Sequence, residues 1–250
     1  MHSAVDGNLP LPPSGLLSGA SLFIDFDGTL VDLVDRPDDV VADEPLRALL
    51  ARLAARRKGG LAIISGRSIA QLDVMLGPIA RTIALSGSHG SEHRWGDISA
   101  HPMRPTALDA AAERFHDFAA HHPGVLVEVK SFGTALHYRQ APDAADAARE
   151  IAEDVGKLLG LTIQPGNMMV ELRVPGSDKG VAVRRLMDRP PMAGTRPIFI
   201  GDDLTDEPGF VAARELDGDG VLVGPPRPTA ASYGLPDTGA VRTWLESALA

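Results

Sequence analysis

Short apolar runs rich in β-branched residues alternate with segments of helical spacing at both ends of this chain. The runs predict strands at residues 21–25, 61–65, 82–85, 197–201 and 220–223. The segments between them predict helices at residues 44–58, 68–76, 178–187 and 207–214. Near-continuously apolar strands separated by helices are typical of parallel sheets covered on both faces. The pattern therefore indicates an α/β core with a doubly wound parallel sheet.

The middle of the chain has the pattern of a smaller α+β module. It predicts helices at residues 106–121 and 143–159, and strands at residues 125–130, 134–139, 161–164 and 168–174. Gly133 and the pair Pro165 and Gly166 stand where hairpin turns are needed. We therefore expect a core formed by residues 20–103 and 177–250, with an α+β cap inserted at residues 104–176.

Composition excludes several classes of function. The 250 residues include 24 Lys and Arg against 33 Asp and Glu, a net charge of −9. This excess of negative charge argues against a partner that is nucleic acid or an anionic membrane. The absence of cysteine excludes disulfides, thiolate catalysis and cysteine-ligated metals. No apolar run is long enough for a membrane span.

The first 19 residues contain no Lys or Arg, and three prolines interrupt their apolar stretch. A signal peptide needs a basic start and an unbroken apolar segment. We therefore expect residues 1–19 to be a flexible tail and the protein to be cytoplasmic.

Two acidic segments follow predicted strands of the core. They are Asp25-Phe26-Asp27-Gly28-Thr29-Leu30 and Gly201-Asp202-Asp203-Leu204-Thr205-Asp206-Glu207. If the two strands are neighbours, Asp25, Asp27 and Asp202 converge in the crevice where open α/β sheets bind ligands. Crowded carboxylates have raised pKa values unless a cation neutralises them. Because all the ligands are oxygens, the cation we expect is Mg²⁺.

Two further segments offer groups that bind phosphate. Ser65-Gly66-Arg67 follows a third core strand and supplies a hydroxyl and backbone amides. Lys179 begins a predicted helix, and a helix N-terminus favours an anion. A carboxylate nucleophile, a second carboxylate, a metal, a hydroxyl and a lysine are the parts used in phosphoryl transfer through an aspartyl-phosphate.

These segments resemble those of the haloacid-dehalogenase-type phosphatases, which have a Rossmann-like core. More specifically, the chain is similar to the trehalose-6-phosphate phosphatase family over residues 22–245. The segments that carry this likeness are Asp25 to Leu30, Ile64-Ser65-Gly66-Arg67, Gly87-Ser88-His89-Gly90-Ser91-Glu92, Val170-Glu171-Leu172 and Gly201 to Glu207. The resemblance implies a hydrolase that removes phosphate from trehalose 6-phosphate in trehalose biosynthesis. A sugar phosphate is then the substrate, and a trehalose-6-phosphate synthase is the implied functional partner.

The resemblance also implies roles for individual residues. Asp25 would attack phosphorus, and Asp27 would protonate the leaving oxygen and then deprotonate water. Asp25, the backbone carbonyl of Asp27 and Asp202 would hold Mg²⁺. Ser65 and Lys179 would bind the transferred phosphoryl group. Asp203 and Asp206 would orient Lys179 and a metal-bound water.

Substrate-binding residues are expected in both parts of the chain. Those of the core are Gly28, Thr29, Gly66, Arg67, His89 and Glu92, the last two in a loop near the mouth of the site. Those of the cap are Glu128, Lys130 and Glu171, which lie on polar faces of predicted strands and would bind sugar hydroxyls. The pattern alone equally fits a half-buried sheet with a solvated side.

One competing motif is set aside, and two alternative interpretations stay open at this stage. The His89-x-x-Glu92-His93 spacing occurs in some zinc proteases, but it requires a helix there, which Gly87 and Gly90 disfavour. Another sugar phosphatase or a phosphosugar mutase would have the same core and cap. A catalytically silent binding domain would lack the nucleophile or metal ligands, and this chain has all of them.

Overall fold

The computed structural model of the protein describes residues 9–34, 40–96, 98–100, 102–166 and 168–249. The chain divides into two compact units, one formed by Met1–His101 with Asp178–Ala250 and the other by Pro102–Ser177. In the described ranges, no helix combines the length and the apolar character needed to cross a membrane.

The elements of both units follow in chain order. The strands are β1 (Ala20–Ile24), β2 (Leu61–Ile64), β3 (Ala84–Gly87), β4 (Glu92–Trp95), β5 (Ile98–Ala100), β6 (Leu126–Lys130), β7 (Gly133–His137), β8 (Thr162–Gly166), β9 (Met169–Arg173), β10 (Arg196–Gly201), β11 (Asp219–Val223) and β12 (Tyr233–Leu235). The helices are α1 (Glu44–Arg57), α2 (Ile69–Leu76), α3 (Thr106–Ala120), α4 (Ala145–Leu159), α5 (Lys179–Met187), α6 (Glu207–Glu215) and α7 (Thr238–Ser247).

The first unit contains an eight-stranded sheet in the order β12-β11-β10-β1-β2-β3-β4-β5. The strands from β12 to β3 pair in parallel, and β4 and β5 are added in antiparallel pairing. Every residue of β1 and β2 is buried, and a separate hydrophobic cluster covers each face of the sheet. This arrangement confirms the predicted α/β fold class.

The second unit contains an antiparallel sheet in the order β6-β7-β9-β8. One hydrophobic cluster joins the sheet to α3 and α4, with Phe115 of α3, Leu136 of β7 and Val155 of α4 among its buried members. The opposite face of the sheet carries the polar side chains of Glu128, Lys130 and Glu171.

Part of the predicted N-terminal tail is ordered. Residues 1–8 of that tail lie outside the described residues, but Ser14–Leu17 form a 3₁₀ helix. Leu16 and Leu17 are buried in the core, at 5% and 2% exposure. Arg57 donates hydrogen bonds to the carbonyls of Leu17 and Ala20, the latter at 2.8 Å. These contacts do not fit a flexible tail at residues 14–17, because Leu16 and Leu17 add apolar surface to the core.

Several elements are absent from the sequence prediction. β4, β5 and β12 are three or four residues long, which is too short for a recognisable period of two. α7 did have a usable signal, because Asp237 accepts a hydrogen bond from Ala240 N at its start and Val241, Trp244 and Leu245 are buried at helical spacing.

Candidate active site

Asp25 and Asp202 lie side by side at the carboxyl end of the first unit's sheet. β1 pairs with β10 in a register that sets Ile24 opposite Ile200. The backbone N–H of Asp25 continues this pairing by donating to the carbonyl of Ile200 at 2.9 Å. Each acidic segment therefore leaves its strand at the same level, and the two meet at this edge.

The ammonium of Lys179 lies between two carboxylates. Its Nζ is 3.0 Å from Asp25 Oδ1 and 2.7 Å from Asp206 Oδ1, and none of the three side chains is more than 6% exposed. Burial alone would lower the pKa of Lys179, but the charges of Asp206 and Asp25 raise it above its usual range. The lysine is therefore a fixed positive charge beside Asp25.

Two glycines allow Asp206 to reach this position. A Cβ at Gly201 would collide with the carboxyl group of Asp206, and a Cβ at Gly180 would collide with the carbonyl of Pro208 at the start of α6. The second carboxylate oxygen of Asp206 accepts from the backbone N–H groups of Asp202 and Asp203, at 2.9 and 3.0 Å. Asp206 therefore orients Lys179 and the backbone that carries Asp202.

Asp203 has a different environment from the one expected. Its Oδ1 accepts hydrogen bonds from the N–H and the hydroxyl of Thr205, at 2.8 and 2.7 Å. These bonds hold the turn before α6, and Asp203 acts on Lys179 through its charge, which helps to raise the pKa of the lysine.

The site carries an excess of negative charge. Burial raises the pKa of Asp25 well above its usual value, and Asp206 and Asp202 add to the rise while Lys179 opposes it. Burial, with the charges of Asp206 and Asp203, raises the pKa of Asp202 to about 7. Three ionised carboxylates beside one ammonium leave two negative charges, which one divalent cation would balance.

The geometry fits such a cation. One carboxylate oxygen from each of Asp25, Asp202 and Asp206 lies within 4.8 Å of the others. Both oxygens of Asp206 already accept hydrogen bonds, so Asp25 and Asp202 are better placed as direct ligands. An all-oxygen donor set of this kind suits Mg²⁺.

Gly28 and Thr29 contact Asp202. Gly28 has a positive φ of 78°, and a Cβ there would collide with the carboxylate of Asp202. Its N–H donates to the carbonyl of Val31 at 2.8 Å. Thr29 is fully buried, and its hydroxyl donates to Asp202 Oδ1 at 3.0 Å. Both residues therefore set the position of a candidate metal ligand, and their binding of substrate stays a prediction.

Ser65, Gly66 and His89 form one packed group. Ser65 is fully buried, and its Oγ accepts from the N–H of Arg67 at 3.1 Å. The N–H of His89 donates to the carbonyl of Ser65 at 2.9 Å, and a Cβ at Gly66 would collide with the His89 ring. Ser88 and His89 both have positive φ, 49° and 52°, a region that non-glycine residues rarely adopt. This backbone sets the imidazole against the loop that we expect to bind phosphate.

Glu92 lies in β4 and not in a loop, because β4 folds back onto β3 with Glu92 opposite Gly87. It is 6% exposed. Its carboxylate accepts from the Ser88 hydroxyl at 2.6 Å and from the N–H of Ile69, the first residue of α2, at 3.2 Å. Glu92 therefore supports the His89 turn and the start of α2, which corrects the expected position at the mouth of the site.

The side chain of Asp27 is held by Arg67. The guanidinium donates from Nε and Nη2 to the two carboxylate oxygens, at 2.8 Å each for the shortest contacts. The Asp27 side chain is 28% exposed and that of Arg67 is 9% exposed. Arg67, expected to bind substrate, thus contacts the expected acid and base.

In the second unit, the polar cap residues share one face of the sheet. Glu128 of β6, Ala135 of β7 and Glu171 of β9 are opposite one another in register. Lys130 Nζ lies 2.7 Å from Glu171 Oε2 and 3.7 Å from Glu128 Oε2. A Cβ at Gly133 would collide with Glu171 Oε1, so this glycine is needed for the close approach of Glu171.

His137 of β7 belongs to the same polar face, although it is not among the substrate-binding residues that we expected. Its Nε2 is 2.8 Å from Glu128 Oε2. This hydrogen bond is the main reason why the pKa of Glu128 is lowered.

His93, the second histidine of the zinc-protease spacing, is a buried residue of β4. It is 6% exposed, and its Nε2 contacts Nη1 of Arg185. Burial and the charge of Arg185 lower its pKa to about 4. Because β4 is a strand, His89 and His93 do not share a helix face, and the zinc interpretation has no support here.

We expect the contribution of His93 to the free energy of unfolding to decrease as the pH falls from about 6.5 to about 4, in the opposite sense to the contributions of Asp25 and Asp202, whose pKa values are raised. The unfolded chain binds a proton at His93 in this range and the folded protein does not, since its pKa is lowered from 6.5 to about 4. The difference corresponds to roughly 3 kcal/mol. In urea unfolding across this range, the wild type should lose about this much stability relative to His93→Gln as the pH falls. Equal dependences would contradict the assignment.

Comparisons with known proteins point to one family. The trehalose-phosphatase family model matches residues 23–237. The chain is 38% identical over 229 residues to an Escherichia coli protein named trehalose-6-phosphate phosphatase, covering 90% of this chain and 84% of that protein. It is 37% identical to a Sinorhizobium fredii protein named as a probable trehalose-phosphate phosphatase, covering 90% and 86%. The C-terminal domain of the Candida albicans trehalose-6-phosphate phosphatase has the same fold, with a TM-score of 0.82, 24% identity and coverage of 98% and 99%.

Proposed function

Since this chain belongs to the trehalose-phosphatase family, a family of phosphatases, we propose that it hydrolyses trehalose 6-phosphate to trehalose and inorganic phosphate. The observation that carries this proposal is the buried contact of Asp25 with Lys179 beside Asp202, at the carboxyl end of the sheet. A carboxylate next to a fixed positive charge provides a nucleophile and a partner for the charge of a phosphate. The substrate would come from a trehalose-6-phosphate synthase, the functional partner that we propose.

In the first step, Asp25 acts as the nucleophile. A carboxylate oxygen of Asp25 forms a bond to phosphorus, and the bond from phosphorus to the sugar oxygen breaks. Asp27 gives a proton to that oxygen, so trehalose leaves as an alcohol and the phosphoryl group remains on Asp25. Lys179 and Ser65 bind the phosphoryl oxygens during the transfer.

In the second step, water hydrolyses the aspartyl-phosphate. The carboxylate of Asp27 takes a proton from the water, whose oxygen forms a bond to phosphorus as the bond to Asp25 breaks. Inorganic phosphate leaves, Asp25 is again a carboxylate and Asp27 is again protonated. The same side chain thus acts first as acid and then as base, as general acid–base catalysis requires.

The carboxylates of Asp25 and Asp202 and the backbone carbonyl of Asp27 would hold Mg²⁺. When bound, the ion neutralises charge on the phosphoryl group and on the crowded carboxylates. Gly28, Thr29 and Asp206 keep these ligands in place through the contacts described above.

The polar face of the second unit binds the sugar in this proposal. Glu128, Lys130 and Glu171 form a connected set of charges on that face. Carboxylates accept several hydrogen bonds each, which suits sugar hydroxyls. Because phosphate is common to all phosphomonoesters, these side chains and not the core would select the disaccharide.

A direct test compares phosphate release from trehalose 6-phosphate with release from other sugar phosphates. We expect the highest kcat/KM for trehalose 6-phosphate. A higher value for a monosaccharide phosphate would favour another sugar phosphatase, and conversion of the substrate to a phosphate isomer would favour a mutase.

We expect Glu128→Ala and Glu171→Ala to lower kcat/KM for trehalose 6-phosphate by about 10- to 100-fold. A lost charged hydrogen bond to a desolvated hydroxyl costs roughly 1.5–3 kcal/mol. Hydrolysis of p-nitrophenyl phosphate, which has no sugar for these glutamates to contact, should change by less than about threefold. Steady-state kinetics on both substrates measure the difference.

Glu153→Ala is a matched control, because Glu153 is an exposed glutamate of α4. It should leave both substrates unaffected. If Glu128→Ala and Glu171→Ala reduce activity equally on both substrates, the two glutamates support the fold and do not bind sugar.

A further inference from the structure

Arg67 and Asp27 form a two-pronged ion pair. Nε of Arg67 lies 2.8 Å from Asp27 Oδ2 and 3.0 Å from Oδ1, and Nη2 lies 2.8 Å from Oδ1. The side chain of Arg67 is almost buried, at 9% exposure. A planar guanidinium that meets a carboxylate in this way fixes its orientation as well as its position.

The backbone of Arg67 is itself fixed from several sides. Its N–H donates to Ser65 Oγ at 3.1 Å, and its carbonyl accepts from the N–H of Ser88 at 2.8 Å. A Cβ at Gly87 would lie 2.9 Å from that carbonyl, so the next strand passes close by. The guanidinium is therefore presented to Asp27 from a rigid turn.

The contact with Asp27 limits which other groups the guanidinium of Arg67 can bind. The edge formed by Nε and Nη2, which would make a paired contact with a phosphate, is already occupied by the Asp27 carboxylate. In contrast, among the described residues, neither Lys179 nor Asp202 of the same site makes a hydrogen bond or an ion pair with Asp27. The orientation of the Asp27 side chain thus depends on Arg67.

We propose that Arg67 is a positioning residue that acts on the reaction through Asp27, and that it is not a binding site for the substrate's phosphate. This inference rests on the proposed function, in which Asp27 moves the proton in both steps. Arg67 holds the carboxylate of Asp27 ready for the second step, when it takes a proton from water as the bond between phosphorus and Asp25 breaks.

The test is a double-mutant cycle of Arg67→Gln and Asp27→Asn, with p-nitrophenyl phosphate as substrate. We expect Arg67→Gln alone to lower kcat by about 10-fold, a part of the 10²- to 10⁴-fold that acid–base catalysis contributes. KM and the Kd for inorganic phosphate should stay within about twofold. In the Asp27→Asn background, the same change should lower kcat by less than about twofold, because coupled residues are not additive.

Two further variants make the result decisive. Arg67→Lys keeps the charge without the planar fork and should recover only part of the lost kcat. It also replaces Arg67→Gln in the cycle if that variant does not fold. Arg94→Gln removes a comparable ion pair of the same unit, in which Arg94 Nη1 is 2.7 Å from Asp73 Oδ2. Because this pair lies outside the site, Arg94→Gln should leave kcat unchanged.

The inference is overturned if Arg67→Gln leaves kcat unchanged, or if it lowers kcat by the same factor in both backgrounds. It is also overturned if Arg67→Gln raises KM and the Kd for phosphate by about 10-fold, because that is the effect expected for a lost phosphate contact. The aryl phosphate keeps the two proposals distinguishable, since a protein that hydrolyses it but not trehalose 6-phosphate contradicts the proposed substrate alone. A wild-type protein that hydrolyses neither overturns both.

Discussion

Asp25→Asn is expected to lower phosphate release by on the order of 10³-fold or more, the scale seen when a nucleophile is removed. An amide has the shape of the carboxylate but does not attack phosphorus. We expect the fold to be retained, since burial, Asp206 and Asp202 all raise the pKa of Asp25, and a neutral side chain relieves that crowding. Phosphate release, Tm and circular dichroism measure the three effects.

Asp154→Asn is the matched control, because it makes the same chemical change at an exposed position of α4. Its activity should equal that of the wild type. Radiolabelled substrate should leave label on the wild-type protein after rapid acid quenching, and none on Asp25→Asn. Near-normal turnover by Asp25→Asn would rule out the covalent mechanism.

Removal of divalent cations is expected to abolish activity, and added Mg²⁺ should restore it. Without a cation, Asp25, Asp202 and Asp206 face one another, and among the described residues the ammonium of Lys179 is what offsets their charge. The dianionic phosphate would then enter a site with excess negative charge. Exhaustive chelation followed by titration with Mg²⁺ tests this, and full activity in the chelated protein would contradict it.

A second readout does not depend on turnover. An ion that binds only the folded protein stabilises it, by roughly 2.7 kcal/mol at 100 times its Kd. Mg²⁺ should therefore raise the Tm of the chelated wild type, and raise that of Asp202→Asn by less. An equal rise in both proteins would place the ion elsewhere.

Local sequence patterns were sufficient for most of the fold. Near-continuous apolar runs predicted β1, β2, β10 and β11 to within a residue at each end. Caps set the helix boundaries, as at Ser68, whose side chain and that of Gln71 form a capping box at the start of α2. Such patterns act over a few residues, and for that reason the short strands β4, β5 and β12 had no usable signal.

The site required more than local patterns. The sequence placed Asp25 and Asp202 at strand ends, but their approach depends on β1 and β10 being neighbours in one register. The partners of Asp202 and Asp27 could not be predicted, because the hydroxyl of Thr29 and the guanidinium of Arg67 were both assigned to substrate. Their actual contacts span 173 and 40 positions of the chain.

The sequence by itself determined the fold class, the family and the chemical groups available: paired carboxylates after a buried strand, a hydroxyl, a lysine and a polar-faced cap. These are properties of residue type and of spacing over a few positions. Only the tertiary structure decided which groups meet. Asp206 reaches Lys179 because Gly201 leaves room for its carboxyl group and Gly180 leaves room for the carbonyl of Pro208 in α6. Glu171 reaches Lys130 because Gly133 leaves room for the carboxylate of Glu171. Such contacts are fixed by close packing between segments that are distant in the chain. A glycine in the sequence shows where another group can approach closely, but it does not show which side chain will do so.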